Sequence, residues 1–204
     1  MTIDLNRLPR IAPMSYDTAD ERTREVWDEL DRPSAGGPGP DTSHAMFRTF
    51  IHDPELMLAK LPYDHYLKYT KVVPVRHREL AILRSAWKCG VDDQWVNHTK
   101  IGLDCGLTQE EIDRIPAGPD AAGWSEEDAT VLRAVDELFA TCRISDETWA
   151  ALARQYDDRQ LIVFLVLVGN YHALSYIQNC VGIRPVTGTS PNIRGNRFLF
   201  PAPE

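Results

Sequence analysis

The sequence predicts an all-α fold, and three observations carry that expectation. Apolar residues recur with helical spacing in segment after segment, capping residues and proline or glycine stops bracket those segments, and no segment finds a strand partner. One run, LIVFLVLV at 161–168, would suit a buried strand, being short, apolar and β-branched. It continues as GNYHALSYIQN without a turn signal, so it too reads as helix.

The elements follow in order. TADERTREVWDELD (18–31) is a charged amphipathic helix with Val26, Trp27 and Leu30 as its apolar stripe. RPSAGGPGPD (32–41) is a loop by its proline and glycine density. Helical spacing returns over 46–51 and again over 56–69, the second preceded by Asp53-Pro54, a cap and a first-turn proline. Pro74 opens a helix that Gly90 closes, and Asp92 and Asp93 open the next, which ends at Gly106. Thr108 and Glu111 have capping-box spacing for a short helix that stops before Pro116. Ser125, with Asp128 as its capping-box partner, and Ser145 start two more helices, and a long one runs from about 157 to 181.

Composition narrows the function classes. The formal charge of −8 argues against a nucleic-acid partner and against docking on anionic lipid, since both are themselves anionic. MTIDLNRLPRIAPM lacks the apolar core of a signal peptide, and the apolar run at 161–168 is far shorter than the roughly 20 residues that span a bilayer. A cytoplasmic protein with reduced thiols and no membrane partner is expected.

The chemistry concentrates in CGVDDQWVNHTKIGLDCG (89–106). A helix over 92–104 is roughly 20 Å long, which places Cys89 and Cys105 far beyond disulfide reach. His98 has Gln94 one turn before it, neither histidine nor carboxylate, so two or more ligands would have to come from elsewhere and no metal site is expected. Acid/base chemistry remains. Gln94, His98 and Ile101 share one helix face. Glu79 begins the apolar stretch LAIL on the preceding helix, where a carboxylate needs a partner such as histidine. With the turn near Val91, simple antiparallel packing leaves Glu79 and His98 offset by roughly 7 Å along the axis, so a water, a tilted crossing or a longer reach is needed between them.

The stretch RHRELAILRSAWKCGVDDQWVNHTKIGLDCGLTQEEI resembles the core motif of the carboxymuconolactone decarboxylase family, which also holds the alkylhydroperoxidase D-type proteins. LIVFLVLVGNYHALSYIQNCVGI is similar to the family's last helix. The resemblance covers roughly residues 45–183 and implies an alkylhydroperoxidase D-like helical bundle, here with an N-terminal helical extension (1–44) and an irregular tail (184–204). In the peroxidase branch it implies a glutamate, two thiols and a histidine. Glu79 and His98 fall on the glutamate and histidine positions, but Val91 and Gln94 stand where the thiols belong, leaving Cys89 as the one nearby redox candidate. In the decarboxylase branch it implies His98 as the proton shuttle, Glu79 orienting it, and no metal or organic cofactor. Gln94 stands where glutamate is frequent and can donate to a substrate but not take its proton.

Further substrate-binding candidates are Trp95, beside the Gln94/His98 face, and Tyr171, His172 and Tyr176, polar-tipped residues of the last helix. Arg84 interrupts an apolar run and offers a bidentate clamp for a carboxylate, or else a structural pairing. The expectation is a cofactor-free lyase or lactone isomerase acting on a small carboxylated ring or lactone. A Cys89 thiol peroxidase and a non-catalytic binding or assembly protein stand as alternatives. The resemblance implies a homo-oligomer (dimer, trimer or hexamer), and Phe198-Leu199-Phe200 in the tail would dock on a neighbouring subunit or on the chain's own core, so deletion of 190–204 is expected to weaken assembly.

Overall fold

A computed structural model describes residues 9–31 and 41–183. The expectations for the loop at 32–40 and for the tail, including Phe198-Leu199-Phe200 and the deletion of 190–204, lie outside the described residues. Among the described residues every regular element is helical: α1 (Glu21–Asp31), α2 (Ala45–Phe50), α3 (Pro54–Tyr69), α4 (Val75–Cys89), α5 (Asp92–Asp104), α6 (Gln109–Arg114), α7 (Glu126–Thr141), α8 (Asp146–Gln155) and α9 (Asp158–Val181), with short 3-10 turns at Tyr16–Thr18 and Ile115–Ala117. The fold is all-α, as the sequence predicts.

Local signals account for most of the boundaries. Asp53 accepts from the Leu56 N–H with Pro54 in the first turn of α3, Thr108 and Glu111 form the reciprocal capping box of α6, and Ser125 and Ser145 cap α7 and α8. Gly90 takes the left-handed conformation (φ 65°) that ends α4, and the Val91 N–H reaches back to the Ala86 carbonyl, so only two residues separate α4 from α5. The first helix begins later than its charge pattern suggests. Residues 16–18 form a 3-10 turn, and Asp20 caps α1 by accepting from the Thr23 N–H at 2.7 Å. Before α9, Asp157 and Gln160 exchange side chain-to-backbone bonds of 2.8 and 3.0 Å, a capping box of Asp and Gln.

The described residues divide into two compact units, one formed within 9–70 together with 177–183 and the other by 71–176. In the first, α1, α2 and α3 enclose Val26, Trp27, Phe47, Ile51 and Met57, with Trp27 edge-on to Phe47 at 5.3 Å. In the second, α4 is the central element, packed on α5 and α7, and every residue from Arg78 to Ala86 is buried. A helix buried all round must neutralise each polar group it carries. Arg76, in its first turn, donates to Glu111 of α6 at 2.5 and 3.1 Å and to Asp128 of α7 at 2.8 Å, tying three helix N-termini together. His77 pairs through Nδ1 with the Tyr156 hydroxyl at 2.7 Å. Burial lowers the proton affinity of His77 and raises that of Tyr156.

The sequence expectation about membrane length needs correction. Counted as a whole helix rather than as its apolar run, α9 is long and apolar enough to cross a bilayer by length and composition, and 28% of its most apolar window is buried. Residues 160–181 carry no Asp, Glu, Lys or Arg, which the eight-residue run at 161–168 does not reveal.

The hydrogen bond from Arg76 holds Glu111 below the usual carboxylate range, so its pairing stabilises the fold above the ordinary value of 4.5 and is lost as the pH falls through the lower folded value. Glu111→Gln retains a capping acceptor but not the charge facing Arg76. Urea unfolding at neutral pH is expected to show a loss of about 1.5 kcal/mol, and that loss should fade in acid. A penalty that persisted unchanged in acid would contradict the assignment.

Candidate active site

Three helices of the second unit supply the site. On α4, burial of the Leu80–Ala86 stretch carries Glu79 inward with it, leaving its side chain 1% exposed. On α5, Gln94 and His98 are one turn apart and both buried. On α9, Tyr171 and Ser175 are likewise one turn apart. The central contact is direct: His98 Nδ1 lies 2.7 Å from Glu79 Oε2. The offset of roughly 7 Å expected along the axis is thus bridged directly by the two side chains. Of the three ways open to bridge that offset, a direct contact needs no water and leaves a tilted crossing or the reach of the two side chains.

Electrostatics fix the roles of the two groups. Burial alone would push the Glu79 carboxyl up, but the hydrogen bonds from His98 and Arg78 and their charges outweigh it and hold the group below its ordinary value. An ionised carboxylate only accepts hydrogen bonds, so Nδ1 of His98 is the donor. In the neutral ring, Nε2 then carries the lone pair. The Tyr171 ring meets the imidazole edge-on at 5.0 Å, which limits the directions in which it can turn.

The other predicted residues are distributed unevenly. Gln94 Nε2 donates to the Ser175 hydroxyl at 3.3 Å and to the Tyr171 carbonyl at 3.4 Å, so it joins α5 to α9 beside His98. Trp95 is buried and meets Trp87 at 5.9 Å. His172 stacks on Phe139 at 4.2 Å and touches Tyr176 at 4.7 Å, and burial lowers its proton affinity. Tyr176 is 59% exposed. Arg84 is engaged by the protein itself: its guanidinium forks onto Asp136 at 2.8 and 2.7 Å and donates to the carbonyls of Ile115 and Pro116 at 2.7 and 3.2 Å. Of its two readings the structural pairing is the one seen. Cys89 closes α4, half-buried, and none of the four cysteines is in a disulfide. Among the described residues no group of three or more His, Cys, Asp or Glu is placed to hold a metal ion.

Two residues of the site escaped the sequence reading. Arg78 donates through Nε to Glu79 Oε1 at 2.7 Å, completing a buried run of guanidinium, carboxylate and imidazole. Helix neighbours one apart do not ordinarily face each other, so only the adjacency in RHREL could have hinted at it. Ser175 bonds back to the Tyr171 carbonyl at 2.7 Å, the usual behaviour of a serine within a helix, and offers its oxygen to Gln94.

Residues 54–137 match the carboxymuconolactone decarboxylase family, a span that holds Glu79, Gln94 and His98. Among solved structures, one from Agrobacterium tumefaciens, a protein of unknown function named as a candidate AhpD antioxidant-defence protein, is similar in fold. The TM-score is 0.62 at 18% identity over 68% of this chain and 95% of that one. A search of curated proteins found no match. Through residues 54–137 this chain is similar to the carboxymuconolactone decarboxylase family, and the solved structure shares its helical fold.

Proposed function

We propose that this protein is a cofactor-free lyase or lactone isomerase that moves a proton on a small carboxylated ring or lactone through His98, with Glu79 as its orienting partner. The observation that carries the reading is the buried 2.7 Å contact of His98 Nδ1 with Glu79 Oε2. It engages one ring nitrogen with the protein and, in this reading, leaves the other for proton transfer. In an isomerisation, Nε2 takes a proton from one carbon and returns it to another, with no net change. In a decarboxylation, Nε2 first takes a proton from solvent; departure of CO2 leaves an electron pair on carbon, which takes that proton and returns the ring to its neutral form. Gln94, one turn from His98, would meet a substrate carboxylate or carbonyl only by giving up one of its bonds to Ser175 or Tyr171.

A second reading, a thiol peroxidase, draws support from the half-buried thiol of Cys89 at the end of α4 and from the antioxidant role suggested for the similar Agrobacterium structure. It is opposed by Val91 and Gln94 at the positions where the family resemblance places the two thiols.

The test is CO2 release from 4-carboxymuconolactone by wild type, His98→Ala and a variant with all cysteines changed to serine. The expected result is turnover by wild type and the serine variant, with His98→Ala reduced at least about a hundredfold, the usual scale of general acid/base catalysis. Turnover of a peroxide that vanishes in Cys89→Ser, with no lactone turnover by any form, would reverse the order of the two readings.

A further inference from the structure

One side of α9 is built into the protein and the other is not. Leu161, Phe164, Leu167, Val168 and Ser175 are buried, and from this side Tyr171 and Ser175 reach His98 and Gln94. The opposite side exposes Ile162, Val166, Gly169, Ala173 and Tyr176, with Ile162 63% and Tyr176 59% open. An apolar face of this length on a helix without Asp, Glu, Lys or Arg from 160 to 181 calls for a cover.

The face itself says what kind of cover fits. Its residues are spaced 4, 3, 4 and 3 apart, the repeat with which one helix meets another. Gly169 stands at the middle, although glycine is a poor helix former. A Cβ at Gly169 would meet nothing within 4 Å, so packing inside the chain does not require the glycine. Close approach of a second backbone does. The large residues stand symmetrically about it: Ile162 and Tyr176 each lie seven positions away, roughly 10 Å along the axis. Reversing the helix about Gly169 therefore sets Ile162 of one copy against Tyr176 of the other, twice over, which is the self-complementarity of a two-fold contact. Charge points the same way. Two chains of formal charge −8 repel overall, and they meet at least cost across a face without charged side chains.

We propose that the exposed face of α9 is a self-association surface, on which a second copy of this chain lies antiparallel with Gly169 at the two-fold axis. The family resemblance implies that copies associate but not through which face. A two-fold contact pairs chains, so the assembly has an even number of them and is not a trimer. The partner lies directly behind the wall that Tyr171 and Ser175 form, and bracing α9 there holds that wall against α5. None of this depends on the chemistry proposed for His98, so either can fail alone.

The test is the mass of the full-length protein by light scattering, for wild type and Gly169→Glu. The substitution meets open space in a lone chain but brings two carboxylates together on the axis of the pair. The expected result is an even number of chains in wild type and half that mass in Gly169→Glu, with helix content unchanged. A second variant, Gly169→Cys with the exposed Cys142 and Cys180 changed to serine, should form a disulfide between paired copies when oxidised with copper–phenanthroline. The same background with Gly169 intact should not. A wild-type mass of one or three chains overturns the proposal, and so does a folded Gly169→Glu with undiminished mass. If Gly169→Glu does not fold, the disulfide decides, and its absence from an even-numbered assembly overturns the proposal. The rival covers are read by hydrogen exchange over 162–176 in a monomeric wild type. Faster exchange on deleting 190–204 would give the face to the chain's own tail, and slower exchange on adding phosphatidylcholine vesicles would give it to lipid. Either result overturns self-association through α9.

Discussion

A carboxylate in the middle of an apolar helix is among the harder groups to bury, because water must be replaced by donors at both oxygens. Glu79 meets that demand with Arg78 at one oxygen and His98 at the other, each at 2.7 Å. Much of the site follows from this. The need for the second donor sets where α5 lies on α4, and the ionised carboxylate sets which imidazole nitrogen bears the proton. The short link through Gly90 and Val91 holds the two helices to that arrangement.

The same demand recurs along α4. Its arginines at 76, 78 and 84 each meet a carboxylate: Glu111 and Asp128, Glu79, and Asp136. Arg76 and Arg84 fasten the helix to α6 and α7, which reduces the freedom of the backbone that carries Glu79. Arg78 is the one whose partner belongs to the reacting site. The helix is thus both the core of the second unit and the mount for its chemistry, which explains why a residue that resembles a substrate clamp in sequence, Arg84, is a structural tie instead.

Features that depend on near neighbours were legible in the sequence. The caps at Asp53, Thr108, Ser125 and Ser145 and the stop at Gly90 each involve residues a few positions apart, and all are seen. The pairing of Glu79 with His98 was legible as chemistry, from a carboxylate in an apolar run and a histidine on the next helix, but its directness was not, since helical rise says nothing of how two axes cross. The fate of Arg84 depended on Asp136, 52 residues away on another helix. Arg78 was hidden for the opposite reason. It stands beside Glu79, where helix geometry gives no cause to expect a contact. The length of α9 was understated because its charge-free stretch extends well past the apolar run that draws the eye.

The account turns on the charge state of Glu79, which infrared difference spectroscopy reads directly from wild type and Glu79→Gln with 13C-labelled glutamate. At neutral pH the difference should show the paired stretches of a carboxylate and no protonated carboxyl band. On acidification that signal should persist below the ordinary glutamate value of 4.5, because the donors on both oxygens hold the group ionised. A protonated carboxyl band at neutral pH would contradict the account, since a neutral Glu79 would neither need Arg78 nor dictate the tautomer of His98.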